Sequence, residues 1–174
     1  MKPILLILVG VSGSGKTFYA KQLLEQDKNF IRLSRDDLKI TLTGNLKDFY
    51  YRKDSKILEN YITSIIDRSI FNLLNLGYNI VLDNTHLKRV YIKKLKNRYS
   101  EIADIQFKHF ECDLLELKKR VLNRDFKEEL DFYQLTVDDI LTGNNYNEKH
   151  DYFLKSINYI EKHYNESKNF NTIS

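Results

Sequence analysis

The stretch Gly10-Val11-Ser12-Gly13-Ser14-Gly15-Lys16-Thr17 fits G-x-x-x-x-G-K-[ST] and follows a short apolar run, Ile4 to Val9. Residues of these types at this spacing hold the phosphates of a nucleotide. Glycines at 10, 13 and 15 remove Cβ atoms where the backbone turns tightly, so successive N–H groups converge on one anion. A helix opening near Thr17 adds its positive dipole end. The pattern assigns Ser12, Gly13, Ser14, Gly15, Lys16 and Thr17 to binding ATP or another nucleoside triphosphate. Lys16 is expected to reach the β- and γ-phosphates, and the Thr17 hydroxyl to ligate Mg²⁺. An incidental glycine-rich surface loop would have no need of the strand in front of it.

Three further clusters have the chemistry that phosphoryl transfer requires: a base at the attacking oxygen, a metal on the phosphates, and cations that neutralise the moving charge. Ser34-Arg35-Asp36-Asp37-Leu38-Lys39 follows a short strand, Phe30 to Leu33. Asp83-Asn84-Thr85 follows another, Tyr78 to Leu82, in the manner of a Walker B aspartate. Strand carboxyl ends are where open parallel sheets hold ligands. Asp36 can accept the proton of an acceptor hydroxyl. Asp83 either holds a magnesium-bound water or orients the acceptor. Arg120 and Arg124, four apart on one helix face, can act as an arginine finger supplied by the same chain.

Each cluster also has a structural reading. Asp36 or Asp37 can cap a helix, and Asp83 can close a turn. Arg120 can pair with Glu116, and Arg124 with Glu128, as surface bridges. His86, His109, His150 and His163 show no metal-ligand spacing. Cys112 is expected to be buried at a strand end rather than reactive.

The elements that must position these residues follow from periodicity. Phe18 to Gln26 reads as a helix with Phe18 or Tyr19, Leu23 and Leu24 inward. Thr41 to Lys53 reads as a loop or short helical turns. Asp54 is placed to cap a long helix ending at Gly77, with an apolar stripe of Leu58, Ile62, Ile65, Ile66, Ile70 and Leu73. Leu87 to Ser100 reads as a helix with Leu87, Tyr91 and Leu95 on one face and Arg89, Lys93 and Lys96 on another. Ile105 to Cys112 is a fourth strand. Asp113 with Glu116 predicts a capping box for a helix through Arg124, and Thr136 with Asp139 caps a short one. A terminal helix is expected from Asn147 to Tyr164. Four strands alternating with helices predict an α/β fold with a parallel sheet covered on both faces.

Composition sets the limits. The chain has 174 residues, one cysteine, one proline, six glycines and a formal net charge of +4, which fits a single domain over 1–174 without an internal disulfide or flexible linker. No apolar run reaches the length of a membrane span, and the opening apolar run is too short for a secretory signal, so the expected compartment is the cytoplasm and no membrane partner is expected. The D-x-x-G and N-K-x-D strings of a GTPase do not occur. A motor ATPase needs more length and an arginine from a neighbour.

In order and spacing, Gly10 to Thr17, Arg35-Asp36-Asp37, Asp83-Asn84-Thr85 and the Arg120/Arg124 pair resemble the kinase domain of phage-type polynucleotide 5′-hydroxyl kinases, within the P-loop kinase superfamily. The resemblance covers nearly the whole chain. It implies a three-layer sandwich with a helical lid, and ATP-dependent phosphorylation of the 5′-hydroxyl end of DNA or RNA in end repair. It implies that Asp36 is the general base and that Arg35, Asp36, Lys39, Asp83, Asn84 and Thr85 meet the acceptor polynucleotide. Thr17 is expected at the metal, with Asp83 a candidate there as well as on the acceptor side; Arg120 and Arg124 close over the triphosphate, and Lys16, Asp36 and Arg124 carry catalysis. The family has arginine where this chain has Lys39, which keeps the charge but loses bidentate geometry. No D-x-D-x-T phosphatase motif accompanies it, so no 3′-phosphatase activity is expected. Two other readings remain: a kinase of a nucleoside, nucleotide or sugar, and a binding module gated by nucleotide.

Overall fold

Leu5 to Val9 are all buried. Alternate side chains on a strand point to opposite faces, so β1 (Ile4–Val9) is covered on both sides. It is flanked by β3 (Asn79–Leu82), whose last three residues are also buried, and β4 (Asp104–His109), with β2 (Phe30–Leu33) outside β3. The order is β2-β3-β1-β4, and every pairing is parallel. Leu33 and Ile7 both stand opposite Leu82, so the three strands end close to one level. The Asp83 N–H extends the ladder by donating to the Leu33 carbonyl at 3.0 Å. The structure, a computed structural model, describes residues 1–85, 89–143 and 151–168, without the side chains of Arg89, Asp151 and Tyr152.

Tertiary contacts divide the chain into two compact units, Met1–Val9 with Lys16–His109, and Gly10–Gly15 with Phe110–Ser174. The first holds the sheet with α1 (Lys16–Gln26), α2 (Arg35–Thr43), α3 (Leu46–Tyr51), α4 (Ser55–Asn75) and α5 (Arg89–Tyr99). On α4 the buried residues are Ile62, Ile66 and Ile70 of the predicted stripe, followed by Leu74 where Leu73 was expected, a strict four-residue repeat. Residues 41–53 form the end of α2, a turn at Gly44 and the short α3. The second unit holds α6 (Leu114–Asp125), α7 (Lys127–Tyr133), α8 (Val137–Thr142) and α9 (Asp151–Lys168). These close on a core of Leu122, Leu130, Val137, Ile140, Phe153 and Ile157.

Several local expectations are corrected. Asp54 makes no cap hydrogen bond, because Arg52 takes its carboxylate with two N–H donors at 2.8 and 2.9 Å. Asp113 does cap α6, but Glu116 turns away to Arg120, so the reciprocal half of the predicted box is not made. The box at Thr136 and Asp139 is complete. On α1 the inward side is Tyr19 and not Phe18: Tyr19, Leu23 and Leu24 are half-buried, Ala20 is buried and Phe18 is exposed. On α5 the buried positions are Ile92 and Tyr99, spaced seven apart, while Tyr91 faces out. β4 ends at His109, and Cys112 lies past it, half-buried. Leu87, His86, His150 and the start of the terminal helix at Asn147 lie outside the described residues.

Candidate active site

In the first unit, α2 starts at the carboxyl end of β2, and its first turn is held from two sides. Ser34 Oγ accepts from the Asp37 N–H at 3.2 Å, and Asn84 Oδ1 accepts from the Arg35 N–H at 3.0 Å. Two of the four N–H groups that a helix start leaves without partners are thereby satisfied. The cap is Ser34 and neither of the two aspartates, which sit inside the first turn where the helix dipole favours negative charge. Asp36 points outward, its side chain 63% exposed, with Lys39 Nζ 3.5 Å from Oδ1.

Asp83 is the opposite case. Its side chain is 2% exposed and is held by Arg32 on β2, whose Nε and Nη2 lie 2.8 and 2.7 Å from Oδ2. The same guanidinium bonds the Asp37 carboxylate. Burial works against the charge on Arg32, but the hydrogen bonds it donates to these two carboxylates outweigh it and hold the guanidinium above its ordinary value. Arg32 belongs to none of the motifs in the sequence. An arginine inside the otherwise apolar strand Phe-Ile-Arg-Leu was the available signal, since a charge there needs a buried partner.

Glu59 on α4 likewise belongs to no motif. Its carboxylate bonds Arg35 and lies 2.9 Å from Lys39 Nζ, which also donates to the Tyr50 hydroxyl at 2.9 Å. Burial raises the Glu59 carboxyl, yet the bonds from Lys39 and Arg35 pull it below its ordinary value. Burial likewise opposes the charge on Lys39, and bonds to Tyr50 and Glu59 raise its value overall. Lys39 is therefore a buried ammonium shared among Asp36, Glu59 and Tyr50. Lys16 is buried and Thr17 exposed at the start of α1. Thr85 is exposed. Of the basic face on α5, Lys96 sits 5.0 Å from the Phe107 ring centroid and Lys93 is exposed, while the Arg89 side chain lies outside the described residues.

In the second unit the loop Gly10–Gly15 is propped by α6. A Cβ on Gly13 would lie 2.9 Å from Val121 Cγ2 and 3.2 Å from Leu117 Cδ1, so only glycine lets the loop lie this close to the helix. Gly15, with φ of +98°, is required by conformation alone. The Ser14 N–H donates to the Val11 carbonyl at 3.2 Å. The helix that supports the loop also carries both arginines. Arg124 reaches Ser12 Oγ at 3.3 Å and bonds Asp125 through Nε and Nη2 at 2.6 and 2.8 Å. Arg120 forms the i,i+4 bridge with Glu116 at 2.8 Å. The structure thus ties Arg124 to the phosphate loop and Arg120 to a surface carboxylate; the carboxylate that Arg124 bonds is Asp125 instead of Glu128.

The donor set fits a nucleotide with its metal. Closely approached glycines leave a Cβ-free loop, a buried lysine follows it, and an exposed hydroxyl follows that. Among the described residues no three His, Cys, Asp or Glu side chains converge on a metal position. Magnesium held mainly by phosphates and water asks for only one or two protein ligands.

Residues 5–142 match the AAA domain family. The chain is 30% identical over 131 residues to a protein of Autographa californica nuclear polyhedrosis virus described as a bifunctional polynucleotide kinase/RNA ligase, taking in 71% of this chain and 18% of that protein. It is similar to a chain in the structure of the Pnkp1/Rnl/Hen1 complex, with 33% identity, a TM-score of 0.61, and coverage of 68% of this chain and 39% of that one. It is also similar to a chain of the Pnkp1/Rnl/Hen1 RNA repair complex, with 27% identity, a TM-score of 0.68, and coverage of 96% and 44%. The chain thus spans less than half the length of each of these relatives. No helix among the described residues is long and apolar enough to cross a membrane. With its strand order, its phosphate loop and a family match over most of its length, the chain belongs to the AAA domain family and has the phosphate-loop kinase fold.

Proposed function

We propose that the protein transfers the γ-phosphate of ATP, or another nucleoside triphosphate, to the 5′-hydroxyl end of a polynucleotide. The observation that carries the reading is the exposed Asp36 carboxylate, held at the start of α2 by Lys39. A base must be open to its acceptor while its orientation is constrained. Asp36 takes the hydroxyl proton as the acceptor oxygen bonds to the γ-phosphorus and the bond to the β-phosphate oxygen breaks, releasing the diphosphate. Lys16, the loop residues 12–15 and Arg124 bind the donor phosphates. Arg124 is held by a bidentate carboxylate and by one long bond to the loop serine, and it would exchange Asp125 for phosphate oxygens. Thr17 is the expected protein ligand of magnesium, which when bound supplies charge neutralisation across the phosphates. Asp83, in the grip of Arg32, serves the acceptor side by fixing Arg32 and through it Asp37. The likeness to polynucleotide kinases supports a nucleic-acid acceptor.

The test measures kcat/KM with γ-labelled donor for a free nucleoside, a nucleoside 3′-monophosphate and a short 5′-hydroxyl oligonucleotide, each at two salt concentrations. A polynucleotide acceptor should be preferred and should weaken as salt rises, because neutralised phosphates release counterions. Equal use of the nucleoside or a sugar, without salt dependence, replaces the reading with a small-molecule kinase. Binding of ATP without transfer to any acceptor leaves a nucleotide-gated module.

A further inference from the structure

Tyr50 is large, aromatic and 61% exposed, yet it is not loose. Its helix is pinned at one end by Asn45, whose side chain accepts from the Asp48 N–H at 2.8 Å, and by Phe49, which is fully buried. The two rings meet edge to face, with centroids 5.5 Å apart and planes at 88°. The hydroxyl end is fixed separately, by the 2.9 Å bond from Lys39 Nζ. That same ammonium lies 3.5 Å from Asp36. One buried cation thus ties an exposed aromatic ring to the carboxylate that serves as base.

An exposed ring costs apolar surface, and a tyrosine held at both ends has lost the freedom that would normally accompany exposure. Such a ring beside a reacting end matches one ligand chemistry. A nucleobase has an apolar π-face that stacks on aromatic side chains whatever its sequence. We propose that the Tyr50 ring is the stacking platform for the terminal nucleobase of the acceptor, holding the 5′-hydroxyl beside Asp36. The proposal rests on the polynucleotide reading above and adds the subsite that distinguishes a nucleotide end from other hydroxyls. Lys39 then has two roles, since it sets the direction of the ring as well as the local charge.

Two 5′-hydroxyl oligonucleotides identical except for the terminal residue, one with adenine and one abasic, provide the test. The wild-type protein should favour the adenine end in kcat/KM by roughly five- to a hundredfold. Tyr50→Phe keeps the ring but loses the bond from Lys39, so it should keep a reduced preference, between those of the wild type and Tyr50→Leu. Tyr50→Ala and Tyr50→Leu, each checked for an unaltered melting temperature, should bring the ratio close to one. With 2-aminopurine at the 5′ end, binding to wild type should quench fluorescence, and binding to Tyr50→Leu should not. Phosphorylation of both oligonucleotides at equal efficiency by the wild type overturns the stacking proposal and leaves the kinase reading intact. So does a full preference retained by Tyr50→Leu. Absence of transfer to either one overturns the polynucleotide reading, and the platform falls with it.

Discussion

Arg32 on β2 donates through Nε to Oδ2 of Asp83 at 2.8 Å, and the carboxylate it holds is almost wholly buried. Removing one member of a buried pair leaves an uncompensated charge, at a cost of about 3–5 kcal/mol. Arg32→Ala should lower stability by that order in urea unfolding. Adding Asp83→Asn should restore part of it, since no charge is then stranded. Asp37→Ala should cost under about 1 kcal/mol, because that carboxylate is mostly in water. Additive effects of Arg32→Ala and Asp83→Asn would remove the coupling.

Asp36→Asn should slow phosphoryl transfer by about 10²- to 10⁴-fold while nucleotide affinity stays within a few fold, because a base touches the acceptor and not the triphosphate. Nucleotide titration beside single-turnover kinetics separates the two. An equal loss of ATP binding contradicts the assignment.

Arg124→Ala should slow transfer by about 10³-fold or more, the order expected of an arginine finger. Arg120→Ala should do much less, given its surface bridge to Glu116. Lys16→Ala should weaken both donor binding and transfer. A fully active Arg124→Ala protein removes Arg124 from the donor side.

Gly13→Ala adds a Cβ 2.9 Å from Val121 and forces a left-handed backbone on alanine. Overpacking costs about 1–3 kcal/mol, and the backbone about 1–2 kcal/mol more. Val121→Ala makes room but leaves the backbone strained, so the double variant should recover part of the loss and no more. Unfolding free energies around the cycle check this; a coupling of zero would mean that α6 does not support the loop.

Glu59 predicts the acid limb of stability. Its carboxyl lies below its ordinary value in the folded chain, so the stabilisation is complete at pH values above the ordinary glutamate range, near 4.3, and disappears as pH falls through the lowered value. Lys39 runs the other way: with its value raised, its contribution holds below the ordinary lysine range and is lost as pH rises through the raised value. Glu59→Gln should flatten stability against pH on the acid side, measured by melting between about pH 3 and 6. An unchanged slope would show that the Arg35–Glu59–Lys39 cluster does not report on folding.

What the sequence determined by itself is whatever a local pattern encodes. The glycine spacing before Lys16 specifies the loop, and the apolar runs at 4–9 and 78–82 specify strands buried on both faces. The four-residue repeat from Ile62 to Ile70 specifies the packed side of α4. The order of these elements was enough for the parallel α/β fold. Tertiary structure decided how the charges are shared. Arg32 meets Asp83 across 51 positions, and Arg35 meets Glu59 across 24, separations that no helix or strand period records. Among neighbours in sequence, Asp54 went to Arg52 and not to a cap, and Arg124 to Asp125 and not to Glu128, while the Arg120–Glu116 bridge is the one that helix spacing offered. A carboxylate or guanidinium bonds whatever partner the folded backbone brings within about 3 Å, and only the packed chain sets that distance. Asp36 and Asp37 both face solvent, and which cation each one meets was decided in this way: Arg32 takes Asp37, and Asp36 lies beside Lys39.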